Sequence, residues 1–155
     1  MNSQFDVKFL DIGHLTMYNQ DFDDDGKTPK EWLDFRQEVK ALDGVLFVTP
    51  EYNRSTSAVL KNALDIASRP HGKNVWGGKP GAVVGVSPSK MGSFGSVQHL
   101  RQTATCLNVN LMGQPEAYIG EVHTLVNEKG LVNEGVKEFF KTFSNAFAAW
   151  VNRLT

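Results

Sequence analysis

Residues 45–65 read VLFVTPEYNRSTSAVLKNALD, and this stretch decides the fold. Val45, Leu46, Phe47 and Val48 are consecutive apolar residues, rich in β-branched and aromatic types. Such a run suits a parallel strand buried on both faces. Pro50 has a fixed φ and no N–H to give a ladder, so it ends the strand. A polar loop follows over Glu51, Tyr52, Asn53, Arg54, Ser55, Thr56 and Ser57. Helix formers begin at Ala58, with Ser57 or Thr56 available as a cap. In open α/β sheets, ligands bind beyond the carboxyl ends of the strands. This loop occupies such an end. An ordinary connection with a tyrosine kept for packing explains the same residues about as well.

At 155 residues the chain has the length of one ordinary domain. It holds 16 Lys and Arg against 17 Asp and Glu, a balance that argues against nucleic acid or an anionic membrane as partner. One cysteine, Cys106, cannot form an internal disulfide, and its apolar context TATCLNV reads as a buried, inert thiol. There is no apolar run of about eighteen residues and no signal-peptide pattern. The expected setting is the cytoplasm.

Outward from the opening stretch, strand and helix patterns alternate. Gln4–Asp11 reads as a strand. Asn19–Lys27, with four aspartates and a glycine, reads as a solvated acidic loop, since a calcium loop would need a closing Glu at its twelfth place. Thr28 as N-cap, Pro29 and Glu31 open a helix, and Trp32, Phe35, Val39 and Leu42 give it one buried face to about Leu42. Arg69–Pro80 is a loop that Trp76 anchors. Gly81–Val86 is a short buried strand running into a Gly- and Ser-rich loop over 87–96. A helix begins near Ser96 and carries Val97, Leu100, Ala104 and Leu107. Val109–Met112 is a strand that residues 117–119 extend past a turn at Gly113-Gln114-Pro115. A possible hairpin lies within 121–134, and a last helix spans about Asn133–Leu154 with an aromatic core stripe. Alternation of this kind implies right-handed crossovers and a parallel sheet. The loops at 50–57 and 87–96 follow consecutive strands, so they should lie side by side. Tyr52 and Asn53 offer a ring and an amide, and Gly92 and Gly95 permit close backbone approach. A planar ligand would suit the space between them.

The run TPEYNRSTSAVLKNALD resembles the flavin loop of the NADPH-dependent FMN reductase family, a flavodoxin-like group that includes quinone, chromate and azo-dye reductases. Thr49, Pro50, Glu51, Tyr52, Asn53, Leu60, Lys61, Asn62, Ala63 and Asp65 match its motif. Downstream, GKPGAVVGVSPSKMGSFGSVQHLRQ is similar to the family's second flavin loop, with Gly78-Lys79-Pro80, Gly92, Gly95 and His99-Leu100-Arg101-Gln102. The likeness covers roughly residues 5 to 155. The family's opening strand, phosphate-gripping loop and long helix have no counterpart, and nothing from Met1 to Phe5 supplies such a loop. The chain would then be a fragment, repack its second strand beside its third, or be completed by a partner. Loss of the central strand of the 2-1-3-4-5 order would expose apolar faces and sheet edges.

The resemblance implies a flavodoxin-like α/β three-layer sandwich forming a single domain over 1–155. It implies FMN as cofactor, NADPH or NADH as co-substrate, and a quinone-like or other small electron acceptor. The flavin carries the chemistry, so no catalytic side chain and no metal is expected. Pro50, Glu51, Tyr52 and Asn53 would hold one side of the ring, and Ser87, Lys90, Met91, Gly92, Ser93 and Gly95 its pyrimidine edge. Arg54 would bind a dinucleotide phosphate or face water. The family's dimers and tetramers imply a homo-oligomer, with Glu51, Arg101 and Glu116 as interface candidates. The competing function is a non-catalytic subunit or binding module with weak or no FMN binding.

Overall fold

A computed structural model describes residues 5–155 of the chain. Its elements in order are α1 (Gln20–Asp24), α2 (Lys30–Lys40), β1 (Val45–Thr49), α3 (Ala58–Ala67), β2 (Pro80–Val86), α4 (Phe94–Cys106), β3 (Asn110–Leu111), β4 (Ala117–Ile119), the hairpin β5 (Val126–Asn127) and β6 (Gly130–Leu131), and α5 (Glu134–Leu154). β1 pairs in parallel with β2, Val45 opposite Gly81 and Thr49 opposite Gly85. β2 pairs on its other edge with β3 and then β4, both parallel, so the strand expected at 109–112 does resume after the turn. The expected hairpin forms as β5 and β6.

The sheet separates two apolar cores. On one face Trp32, Phe35 and Val39 of α2, Leu60, Leu64 and Ile66 of α3, and Val97, Leu100 and Ala104 of α4 pack on Val45, Phe47 and Val83. On the other, Phe143 and Phe147 of α5 cover Ala82, Val84, Met112 and Ala117. Burial of such large side chains is the main favourable term in the fold. Trp76 anchors its loop as expected: it is 3% exposed, packs on Phe47 and Phe35, and donates Nε1–H to the Leu64 carbonyl. The cap of α3 is Ser57, whose hydroxyl accepts from the Leu60 amide. Asn133 caps α5 on Val136 in the same way.

Five expectations are corrected. The described part of the strand expected at Gln4–Asp11 carries no ladder (Gln4 itself lies outside the described residues). Phe5 packs on Phe147 of the α5 core, while Leu10 and Ile12 pack into the opposite core. The segment therefore rounds the rim of the sheet instead of joining it. β1 is not buried on both faces: α5 lies over β2 and leaves Leu46 44% and Val48 58% exposed. The exposed face and unpaired edge expected without a neighbouring strand are thus present at β1 among the described residues. Cys106 is exposed, because it sits two residues, or about 200° of helix, from buried Ala104. Thr28 does not cap α2. Pro29 holds that position without a side-chain cap, and the Thr28 hydroxyl donates to Asp23.

The acidic loop is not wholly solvated either. Asn19 caps the short helix α1, which delivers Asp23 to Arg36. The guanidinium donates from Nη1 and Nη2 to the two carboxylate oxygens at 2.9 and 2.7 Å, and from Nε to the Ile66 carbonyl. This pairing holds the Asp23 carboxyl below its ordinary range against the opposing pull of burial.

Candidate functional site

Two βα loops meet at the carboxyl ends of β1 and β2. The first turns sharply after Pro50. Asn53 and Arg54 have φ of 51° and 67°, and Tyr52 and Ser55 exchange backbone hydrogen bonds of 2.9 and 3.0 Å. Two consecutive positive φ values are what a two-residue type I′ turn requires. Asparagine tolerates that region and arginine does so at a cost. The turn pushes the Tyr52 ring into solvent, 63% exposed.

The second loop, between β2 and α4, is shaped by its own polar groups. The Ser87 hydroxyl accepts from the Ser89 amide and the Ser89 hydroxyl from the Met91 amide. The Ser93 hydroxyl donates to the Val86 carbonyl at 2.7 Å. Gly92 has φ of +59°, and a Cβ there would lie 2.5 Å from the Tyr118 carbonyl carbon. Its glycine is thus demanded by packing on β4 as well as by conformation. Met91 is 51% exposed, and Lys90 is exposed beside it.

A buried hydroxyl cluster joins the loops from beneath. Thr49 and Ser96 are both fully buried, with their hydroxyl oxygens 2.9 Å apart. The Thr49 hydroxyl also lies 3.0 Å from that of Thr56. The Ser96 hydroxyl donates to the Pro50 carbonyl at 2.7 Å, across from one loop to the other. Above it, the Glu51 carboxylate accepts from the Ser96 amide and from Arg54 Nη1, which also lies 3.3 Å from Met91 Sδ. His99 Nδ1 and the Ser55 hydroxyl, 3.1 Å apart, add a further tie.

The candidate residues therefore fall in two groups. Pro50, Tyr52, Asn53, Lys90 and Met91 are exposed on the facing rims of the loops. Ser87, Gly92 and Ser93 are buried beneath the rim, and Glu51 and Gly95 are half-buried at the junction. Arg54 is directed neither wholly to water nor to a separate pocket; it spans the two loops through Glu51 and Met91. In the sequence Thr49 is a motif match, Thr56 a cap candidate and Ser96 a helix start, and none of the three is a site candidate. Serine and threonine near a cap carry no signal until the strands are paired. A broad hollow of about 1210 Å³ lies elsewhere, lined by Gly44, Phe147 and Val151 at the opposite end of β1, and takes no part in this arrangement.

The family model for NADPH-dependent FMN reductase matches residues 1–124. The chain belongs to the NADPH-dependent FMN reductase family. It is 44% identical over 149 residues to a quinone reductase of Pseudomonas putida, a match covering 96% of this chain and 80% of that protein. It is 46% identical over 150 residues to a 2-hydroxy-1,4-benzoquinone reductase of a Burkholderia species, covering 96% and 81%. Among solved structures, FerB, a flavoenzyme NAD(P)H:(acceptor) oxidoreductase from Paracoccus denitrificans, superposes with a TM-score of 0.90 at 34% identity over 98% of this chain and 83% of that one. These findings establish the flavodoxin-like fold and NAD(P)H-dependent flavin oxidoreduction as the class of activity.

In this FMN reductase chain, the second half of the motif, LKNA-D, serves the scaffold. Buried Asn62 accepts from the Tyr18 amide at 2.8 Å and donates to the Leu15 and Thr16 carbonyls. It clamps residues 15–18 to α3. Lys61 and Asp65 form an exposed pair one helical turn apart. The motif's first half, Thr49 to Asn53, is the part that reaches the loop junction. Of the expected interface residues, Arg101 donates to the Met112 carbonyl and Glu116 accepts from the Tyr118 hydroxyl at 2.7 Å. Gln98 donates to the same hydroxyl. Burial, with the Glu116 bond and charge behind it, raises the Tyr118 phenol above its ordinary value.

Proposed function

We propose that this chain is an FMN-dependent NAD(P)H oxidoreductase that passes electrons to a quinone or similar small acceptor. The observation that carries the reading is the pair of βα loops locked together at the ends of β1 and β2, with exposed aromatic, amide and ammonium groups on their rims. That donor set fits a flat heterocycle with a polar edge. Pro50, Tyr52 and Asn53 would hold one side of an FMN ring. Lys90, Met91 and the backbone of Ser87, Gly92, Ser93 and Gly95 would meet the other. Bound FMN supplies the hydride and electron chemistry, and the protein supplies position and electrostatics. Glu51 would act through its backbone and the junction, since its carboxylate is already engaged.

Arg54 crosses between the loops with its own side chain 70% exposed, although the Glu51 carboxylate it meets is largely buried. Ligand entry then asks no more of it than a rotamer change. A homodimer or homotetramer, with Arg101, Glu116 and the rim of Glu51 at the contact, agrees with the exposed Phe94 that packs on Tyr118 at the same end. Among the described residues no helix is long and apolar enough to cross a membrane. The reducing nicotinamide is an intracellular metabolite, in keeping with the cytoplasmic setting expected from the sequence.

The test uses the purified full chain. Expected are visible flavin absorbance and NAD(P)H oxidation on addition of a quinone. A colourless protein that leaves FMN fluorescence unquenched would replace the enzyme with a non-catalytic module. Asn53 gives a sharper readout. Asn53→Ala should weaken FMN binding, and Asn53→Gly, which keeps the positive φ without strain, should weaken it by about 2–10-fold through loss of one hydrogen bond alone. Unchanged affinity in the glycine variant removes the Asn53 amide from the site.

A further inference from the structure

Helix α4 begins without a cap of its own. Ser93 holds the N-cap position at φ 65°, and its hydroxyl is turned back to the Val86 carbonyl. The first turn contains no acidic residue. An uncapped helix start leaves amides unpaired and carries a partial positive charge. Glu51 of the other loop supplies what is missing. Its side chain is 12% exposed, and Oε2 accepts from the Ser96 amide at 3.2 Å, in the first turn of α4. Gly95 leaves room for this approach: a Cβ there would stand 3.2 Å from Oε2 and 3.0 Å from the Arg54 carbonyl oxygen. The other carboxylate oxygen receives Arg54 at 3.2 Å.

We propose that Glu51 is a positioning residue which ties the first loop to the start of α4 and offsets the positive end of that helix beside the flavin slot. The second half of this proposal rests on the flavin reading above. A carboxylate at a helix N-terminus both satisfies an amide and balances the dipole, worth about half an elementary charge. Removing the side chain would leave the loops joined by the buried Ser96 hydroxyl and the His99–Ser55 contact, and the start of α4 without its carboxylate. Removing the charge alone would leave the helix end and Arg54 uncompensated. The slot would become more positive, which favours the anionic reduced form of a bound flavin.

The experiment compares wild type, Glu51→Gln and Glu51→Ala as full chains. Amide hydrogen exchange over residues 94–97 is measured without added FMN. FMN affinity is read by fluorescence quenching, and the midpoint potential of the loaded proteins by equilibration with reference dyes. Glu51→Ala should speed exchange and weaken FMN binding, each by roughly tenfold. Glu51→Gln keeps an acceptor for the Ser96 amide, so both values should stay near wild type while the potential moves positive. Unchanged exchange in Glu51→Ala overturns the strut. A wild-type potential in FMN-loaded Glu51→Gln overturns the charge role. A wild type that takes up no FMN refutes the flavin reading and the charge role with it, and the exchange comparison still decides the strut. Should Glu51→Ala fail to fold, Glu51→Asp, one methylene too short to reach the Ser96 amide, takes its place, and unchanged exchange over residues 94–97 in that variant overturns the strut.

Discussion

Gly92→Ala should lose about 2–5 kcal/mol of stability and release the second loop from β4. Two costs combine. An alanine at positive φ pays about 1–2 kcal/mol in backbone sterics. Its Cβ would also stand 2.5, 2.7 and 2.9 Å from Tyr118 C, Tyr118 O and Ile119 N. All three are backbone atoms of a strand paired with β2, so they cannot rotate aside. Overpacking of this kind typically adds about 1–3 kcal/mol. Gly26→Ala is the control, because Gly26 has φ of +69° and open space around it. It should pay the backbone cost alone. Urea unfolding of both variants separates the terms: equal midpoints would mean that the Tyr118 contact carries no weight. On the proposed function, Gly92→Ala also loses FMN while Gly26→Ala keeps it.

Arg36→Ala should destabilise the chain by about 3–5 kcal/mol and invert the pH dependence of Asp23. The pair is nearly dry, with side chains 9% and 3% exposed, and Arg36 also serves the Ile66 carbonyl. Removing one member of a buried pair leaves an uncompensated charge, which costs far more than the pair contributes. In the wild type the folded Asp23 carboxyl titrates below its ordinary value, chiefly because of Arg36. Its stabilising effect is therefore complete above the ordinary carboxylate pKa of about 3.9 and is lost as pH falls through the lower folded value. Without Arg36, desolvation is opposed only by the Thr28 and Tyr18 hydroxyls, and the expected result is a raised carboxyl. Stability at this site then increases as pH falls from neutrality through the raised value. Urea midpoints across pH 3–8, a span of about five units chosen to bracket that ordinary value, measure the two slopes. Parallel slopes in wild type and variant would rule out the pairing as the source.

The two variants probe opposite ends of the same scaffold. Arg36 fastens the α1 segment to α2 and the end of α3, remote from the loops. Gly92 fixes the loop that meets α4. The proposed flavin site should respond to the second strongly and to the first only through global stability. A loss of FMN in Arg36→Ala under conditions where it remains folded would show coupling that the contacts do not suggest.

Local chemistry in the chain was enough for several features. The apolar run at 45–48, stopped by Pro50 and followed by a Ser57-capped helix, specifies one strand–loop–helix unit from neighbouring residues alone. The stripe from Val136 to Leu154 specifies α5 by helical period, and Asn133 starts it. Two such strand–loop–helix units in succession place their loops together, since parallel neighbours share an end. The motifs PEYN, LKNA-D and HLRQ, in that order, point to the family without any tertiary contact.

What neighbouring residues could not decide depended on contacts between distant segments. Leu46 and Val48 read as core, but they are exposed because no element of the described chain lies over that side of β1. Asp23 read as solvated, yet Arg36, thirteen residues on, draws it inside. The hydroxyls of Thr56 and Ser96 have no visible link to Thr49 until the chain folds and brings each within 3.0 Å of the Thr49 hydroxyl. Glu51 reads as a ligand or interface residue, and only the fold shows its carboxylate at the start of α4. Hydrophobic period and turn residues act over a few positions, so sequence carries them openly. Charge partners, caps supplied by another loop and the covering of a sheet face are settled only when the chain closes on itself.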